Sequence, residues 1–160
     1  MFKLALDYVN RLTRVTMYKS IDVANFIVAE GRVKDLTPLK LQKLLYFLYG
    51  LYWKQNKQVL FSDHFVAWDY GPVVEEIYLA FRGYESNVIT QPTNNDFKTA
   101  ISLEDRRKIS QLAEELGKLK ATDMVSMSHR TLPWQEAYKD ILNNEMPGVG
   151  IRRYFETVAA

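Results

Sequence analysis

Two histidines, no cysteine and nineteen acidic residues bound the chemistry open to this chain of 160 residues. His64 follows Asp63, and His129 sits in the run SHRT; neither has a second histidine or a cysteine at zinc-ligand spacing. Each reads as a surface or helix-end histidine satisfied by a local hydrogen bond. Ser126, Ser128 and His129 put hydroxyls near an imidazole, the pairing that nucleophilic catalysis uses. No G-x-S-x-G elbow carries them, however, and nothing marks an oxyanion hole. Glu75-Glu76 and Glu114-Glu115 are adjacent pairs, and neighbouring helical residues do not share a face, so paired acid–base work is not expected from either. The seven glycines are scattered, without a G-x-G-x-x-G or P-loop pattern to cradle a phosphate. The absence of cysteine removes thiol nucleophiles, disulfides and Cys-ligated metals. No catalytic residue, metal or other cofactor is implied.

Binding is the remaining class of function, and the aromatics point to it. Phe, Trp and Tyr make up 13% of the chain, including ten Tyr, more than a core of this size readily hides, so some should lie on a recognition surface. Tyrosine suits such a surface because it brings a large contact area, little rotamer entropy and a hydroxyl that stays hydrogen-bonded when buried. The charge balance, 21 Lys plus Arg against 19 Asp plus Glu, gives no footprint for a nucleic-acid partner. Arg106-Arg107-Lys108 is a basic cluster in the first turns of a helix and reads as a solubility feature. The apolar runs fall far short of the ~20 residues of a membrane-spanning helix, and no signal peptide opens the chain, so the default location is the cytoplasm. The length suits one domain with a real core.

The elements that must present these aromatics follow from pattern. Residues 1–16 form a weakly amphipathic, helix-compatible extension. Ser20 suits an N-cap for a helix to Glu30 that Gly31 ends. Thr37 and Pro38 suit the N-cap and first position of a long helix to about Asn56, in which Leu41, Leu44, Leu45, Leu48 and Tyr52 form one apolar row. Tyr46, Tyr49 and Trp53 form a second row, so this helix belongs in the middle of the domain. Phe65–Trp68 reads as a strand, with a partner expected near 96–101. Gly71-Pro72 should break it and restart the chain as a helix over 73–81, its Glu75 and Glu76 near the positive N-terminal dipole. Residues 85–96 form an exposed loop. Residues 103–119 carry the clearest amphipathic stripe, and further helices are expected over 121–128, from Leu132 to about Leu142, and in the tail after Pro147. The expected fold is mainly α: a single compact helical domain around a buried central helix, with a small two-stranded β element.

Four stretches then suggest a family: SIDVANFIVAE, LTPLKLQKLLYFLYGLYW, LFSDHFVAWDYGPVVEEIYLAF and SHRTLPWQEAY. In order and spacing they resemble the SocA-like or Panacea domain of bacterial and phage antitoxins, also called the GepA-like phage-associated family. The most specific pieces are LQKLLYF and the W-x-x-GPV-x-x-x-x-Y run from Trp68 to Tyr78, supported by Thr131-Leu132-Pro133-Trp134. Met17-Tyr18-Lys19-Ser20 resembles the usual start of such proteins, which makes 1–16 an extension and 17–160 the domain. The resemblance implies an antitoxin that neutralises a co-encoded toxin by direct contact, without catalysis. Alternatives are an adaptor handing the toxin to an AAA+ protease, or an operator-binding autoregulator; a homo-oligomer is compatible with each. The expected partner surface comprises Trp68, Tyr70 and Tyr78, which flank the Gly-Pro turn, with Lys43, Tyr46 and Tyr49 on the neighbouring helix.

Overall fold

The computed structural model describes residues 2–5, 17–140, 142 and 144–158. Of the extension, residues 2–5 are helical and exposed, and 6–16 lie outside the described residues. The expected mainly helical architecture is found, with a small antiparallel sheet of three strands rather than two.

Helix α1, Ser20–Glu30, ends where Gly31 takes φ 65. Its N-cap is Lys19 rather than Ser20, which enters the helix with its N–H donated to Asp63 Oδ1 at 3.0 Å. Helix α2, Pro38–Asn56, starts as its chemistry dictates. Thr37 Oγ1 accepts from the Lys40 N–H at 3.2 Å, and Pro38 occupies the first turn, where its missing donor costs little. Residues 41–50 are all buried, which makes α2 the axis of the fold. It packs against α5 (Leu103–Leu116), α6 (Ala121–His129) and α8 (Gly148–Thr157). Between these lie α3 (Glu75–Phe81), a 3-10 turn over Arg82–Tyr84, α4 (Phe97–Ala100) and α7 (Leu132–Tyr138). The main contacts of helix α1 are with α3, α4 and α5.

Gly50 lets α8 approach the axis. A Cβ there would stand 2.2 Å from the Phe155 ring, so the helical cost of glycine is accepted in exchange for close contact. Tyr46 packs edge-on against Phe65 and Phe155, and Tyr49 packs edge-on against Phe65 and tilted against Phe61, with centroids 5.2 to 5.6 Å apart. Among the described residues the buried side-chain polar atoms find partners, with Ser20 Oγ the exception. Lys40 Nζ donates to the carbonyls of Lys34 and Gly117, each at 2.8 Å, and Asp105 accepts from the hydroxyls of Tyr18 and Tyr52.

The strands are β1 (Phe65–Trp68), β2 (Gly71–Val73) and β3 (Glu145–Met146), in the order β2-β1-β3, all antiparallel. The partner expected near 96–101 is a helical turn, α4, and the true partners are the Gly-Pro-Val segment and a two-residue strand from the far end of the chain. Pro72 does not restart the helix; it sits in β2, and α3 begins at Glu75 with both acidic residues in its first turn. Among the described residues no helix is long and apolar enough to cross a membrane.

Candidate functional site: an interlocked hairpin and its groove

Strand β2 lies at one end of the sheet, so its outer edge would ordinarily carry unpaired backbone groups. Side chains of α2 occupy that edge. Gln42 Nε2 donates to the Val74 carbonyl at 3.0 Å, and the Val74 N–H donates back to Gln42 Oε1 at 2.9 Å, an amide pair standing in for a neighbouring strand. Lys43 Nζ donates to the Pro72 carbonyl at 2.6 Å. Its ammonium is fully buried, and burial pulls its pKa down from the ordinary lysine value to about 7. Gly71 makes the approach possible. It holds φ 104, and a Cβ there would meet Ser128 Oγ at 2.4 Å and Lys43 Cε at 3.0 Å.

The opposite flank of the hairpin is held by the segment that follows α6. Trp134 Nε1 donates to the Trp68 carbonyl at 3.0 Å, and His129 Nε2 lies 2.9 Å from the Asp69 carbonyl. His129, Trp134 and Tyr138 stack in series, with centroids 4.2 and 4.5 Å apart, and Tyr138 donates its hydroxyl to Asp69 Oδ1 at 2.6 Å. That hydrogen bond raises the Tyr138 pKa. Tyr46 joins the same system from below, donating to Thr131 Oγ1 at 2.9 Å. The three sequence pieces LQKLLYF, W-x-x-GPV and TLPW are therefore one interlocked structure, although they are far apart in the chain.

What this framework presents is the turn between β1 and β2 and a groove of about 720 Å³ beside it, running to the start of α2 and the end of α3. Trp68 and Tyr78 meet edge to face across it, with centroids 4.9 Å apart. Tyr70 at the turn is 69% exposed and Tyr78 42%, unusual for rings of this size. Leu39 adds an exposed apolar side chain at the α2 end.

Of the six residues expected to meet a partner, Trp68, Tyr70, Tyr78 and Lys43 line this one groove. Lys43 does so as the buried support under β2, with no exposed surface. Tyr46 and Tyr49 lie elsewhere: they are 0% and 3% exposed in the aromatic core, with Tyr49 Oη accepting from Arg152 Nη1 at 2.8 Å, so their rings do not reach a partner. The aromatic row of α2 is core, as an apolar stripe at helical spacing normally is. Sequence reasoning missed Gln42, whose side chain completes the sheet edge, and Glu85 and Arg82 on the groove rim. The available signal for Gln42 was a polar residue whose neighbours three and four positions away on α2, Pro38, Leu39, Leu45 and Tyr46, are all apolar.

The other candidate chemistry is absorbed into structure. His64 Nδ1 lies 3.4 Å from Glu145 Oε1 at the surface. Arg106 donates to the carbonyls of Ile101 and Lys98, and Lys108 pairs with Glu104 at 3.5 Å. Among the described residues no group of three or more His, Asp or Glu is placed to hold a metal ion.

Comparison with known proteins places this arrangement. No solved structure matches the chain. It is 26% identical over 124 residues to the antitoxin SocA of Caulobacter vibrioides (strain NA1000 / CB15N), an alignment covering 70% of this chain and 66% of that protein. The chain thus spans about two-thirds of that relative's length, slightly under it. The model of the family described as "Antitoxin SocA-like, Panacea domain" matches residues 41–135, a range that takes in most of α2, the hairpin, most of the groove lining and the TLPW segment. With more than half its length matched, the chain belongs to the antitoxin SocA-like, Panacea domain family.

Proposed function

We propose that this protein is the antitoxin of a toxin–antitoxin pair, acting in the cytoplasm without catalysis or cofactor, and that it neutralises a co-encoded toxin by direct contact through the groove beside the β1–β2 turn. Family membership supports the antitoxin role. The observation that carries the surface assignment is Tyr70, more than two-thirds exposed at a turn fixed from both flanks by hydrogen bonds from α2 and α7. A rigid turn loses little entropy when it docks, so the exposed ring can act as an anchor. Trp68, Tyr78 and Leu39 supply the surrounding apolar area, and a stable complex would bury at least ~1,000 Å² around them.

The test is co-expression with the product of the neighbouring reading frame, followed by purified binding. The reading expects growth rescue by the intact chain and a complex that survives size-exclusion chromatography. Rescue that requires an AAA+ protease would replace neutralisation by contact with delivery for degradation. Poisoning that persists with the intact chain present would end the antitoxin reading.

A further inference from the structure

Glu85 closes the 3-10 turn after α3 with φ 55 and ψ −117, a backbone conformation in which a Cβ is strained and which glycine adopts freely. The turn itself needs only the backbone, since the Glu85 N–H donates to the Arg82 carbonyl at 3.0 Å. A glycine would make the same bond without the strain, so the local fold does not explain the carboxylate. Nor does any internal partner: among the described residues the Glu85 side chain enters no hydrogen bond or ion pair, although Arg82 shares the same rim. Strain kept at a residue whose carboxylate has no hydrogen bond or ion pair among the described residues points outward.

The surroundings specify the charge that would answer it. Glu85 lines the groove walled by Trp68, Tyr70 and Tyr78. The electron-rich faces of these rings attract a guanidinium or ammonium group, and a planar guanidinium stacks on them best. Four charged residues line the groove: Asp69, Glu85, Arg82 and Lys43. Lys43 is fully buried against the Pro72 carbonyl, and Asp69 already accepts from Tyr138, which leaves Glu85 as the groove carboxylate and Arg82 as the groove cation without a side-chain hydrogen bond or ion pair among the described residues. The free edge of β2 is occupied by Gln42, so an incoming chain cannot dock by strand addition and must insert side chains.

We propose that the groove receives a cationic side chain of the toxin, best an arginine, stacked on the aromatic wall and paired with the Glu85 carboxylate. This rests on the reading of the groove as the toxin-binding surface. Glu85 then acts as a specificity residue whose strain is retained for the sake of the partner.

The experiment measures stability and affinity on the same variants. Full-length wild type, Glu85→Gly, Glu85→Gln and Tyr70→Ala are melted, then titrated by calorimetry with the purified product of the neighbouring reading frame at about 50 and 300 mM salt. Glu85→Gly should melt about 2–4 °C higher while binding roughly three- to tenfold more weakly. Glu85→Gln should melt as wild type and bind similarly weakly, and both should lose part of the salt dependence of wild-type binding. Wild-type affinity in both Glu85 variants, with Tyr70→Ala weakened, would overturn the proposal and leave the groove reading intact. Wild-type affinity in all three variants, or no binding by the wild type, would overturn both. A Glu85→Gly protein that melts several degrees lower and binds normally would make Glu85 structural.

Discussion

Replacing Lys43 with Met tests whether the hairpin rests on a buried amine. Methionine keeps the length and apolar stem but loses the 2.6 Å bond to the Pro72 carbonyl. Lys43 is fully buried, and its pKa lies near 7 in the fold against an ordinary lysine value of 10.5 in the unfolded chain. Below pH 7 both states hold the proton, and the fold bears the whole cost of enclosing an ammonium. Between pH 7 and 10.5 the unfolded chain binds the proton and the fold does not, so stability from this residue rises with pH, at up to about 1.4 kcal/mol per unit. From pH 7.5 to 9.5 the wild type should therefore gain about 2–3 kcal/mol relative to Lys43→Met. The window stops short of the tyrosines: burial raises the pKa values of Tyr46 and Tyr52, so the fold keeps protons that the unfolded chain releases above pH 10, and stability falls there in both proteins. Urea denaturation of the two proteins at half-unit pH steps gives the difference directly. A difference that stays flat across the window would show that Lys43 is charged in the fold or not enclosed, and would remove the physical account of how α2 supports β2.

The same framework gives further expectations. Gln42→Ala strips partners from the buried N–H and carbonyl of Val74 and should cost about 2–4 kcal/mol in denaturant unfolding; a loss under about 0.5 kcal/mol would mean that water replaces the amide pair without penalty. Gly50→Ala sets a methyl 2.2 Å from the Phe155 ring, and α8 must shift, lowering stability by about 1–3 kcal/mol against the gain in helix propensity; a rise in melting temperature would contradict the packing. Asp105→Asn weakens the acceptor shared by Tyr18 and Tyr52 and should cost about 1–3 kcal/mol at neutral pH, checked by thermal melting.

How much of this was legible in the sequence divides along the distance between interacting residues. Helix α1 ends at Glu30 because Gly31 takes the left-handed conformation, and α2 begins at Thr37-Pro38 because a hydroxyl cap and a proline both favour a first turn; these are local causes, and the bounds followed. The stripe of Ile109, Ala113 and Leu116 likewise located α5, although Gly117 stopped it short of 119. The sheet was legible only in β1. Its partner β2 contains a glycine and a proline and reads as a break, and it forms a strand because Gln42 and Lys43, some thirty positions away, satisfy its outer edge. Strand β3 is two residues long, below any periodicity.

Trp68, Tyr70 and Tyr78 line one groove because they flank one Gly-Pro turn, a local pattern that is visible in the sequence. Tyr46 and Tyr49 carried the same composition but lie on an element enclosed on every side, which only the packing of α5, α6 and α8 around α2 decides. The roles of His129 and Trp134 were hidden for the opposite reason. They act on backbone carbonyls of Trp68 and Asp69, groups every residue possesses, so no side-chain pattern in β1 announces them.

We propose that the groove beside Tyr70 holds the toxin. Calorimetric titration of the purified product of the neighbouring reading frame into wild type and Tyr70→Ala, with circular dichroism on both, is the test. The mutated ring is mostly exposed, so the fold should be unchanged within about 0.5 kcal/mol while affinity drops by at least tenfold. Equal affinity in two equally folded proteins would contradict the assignment.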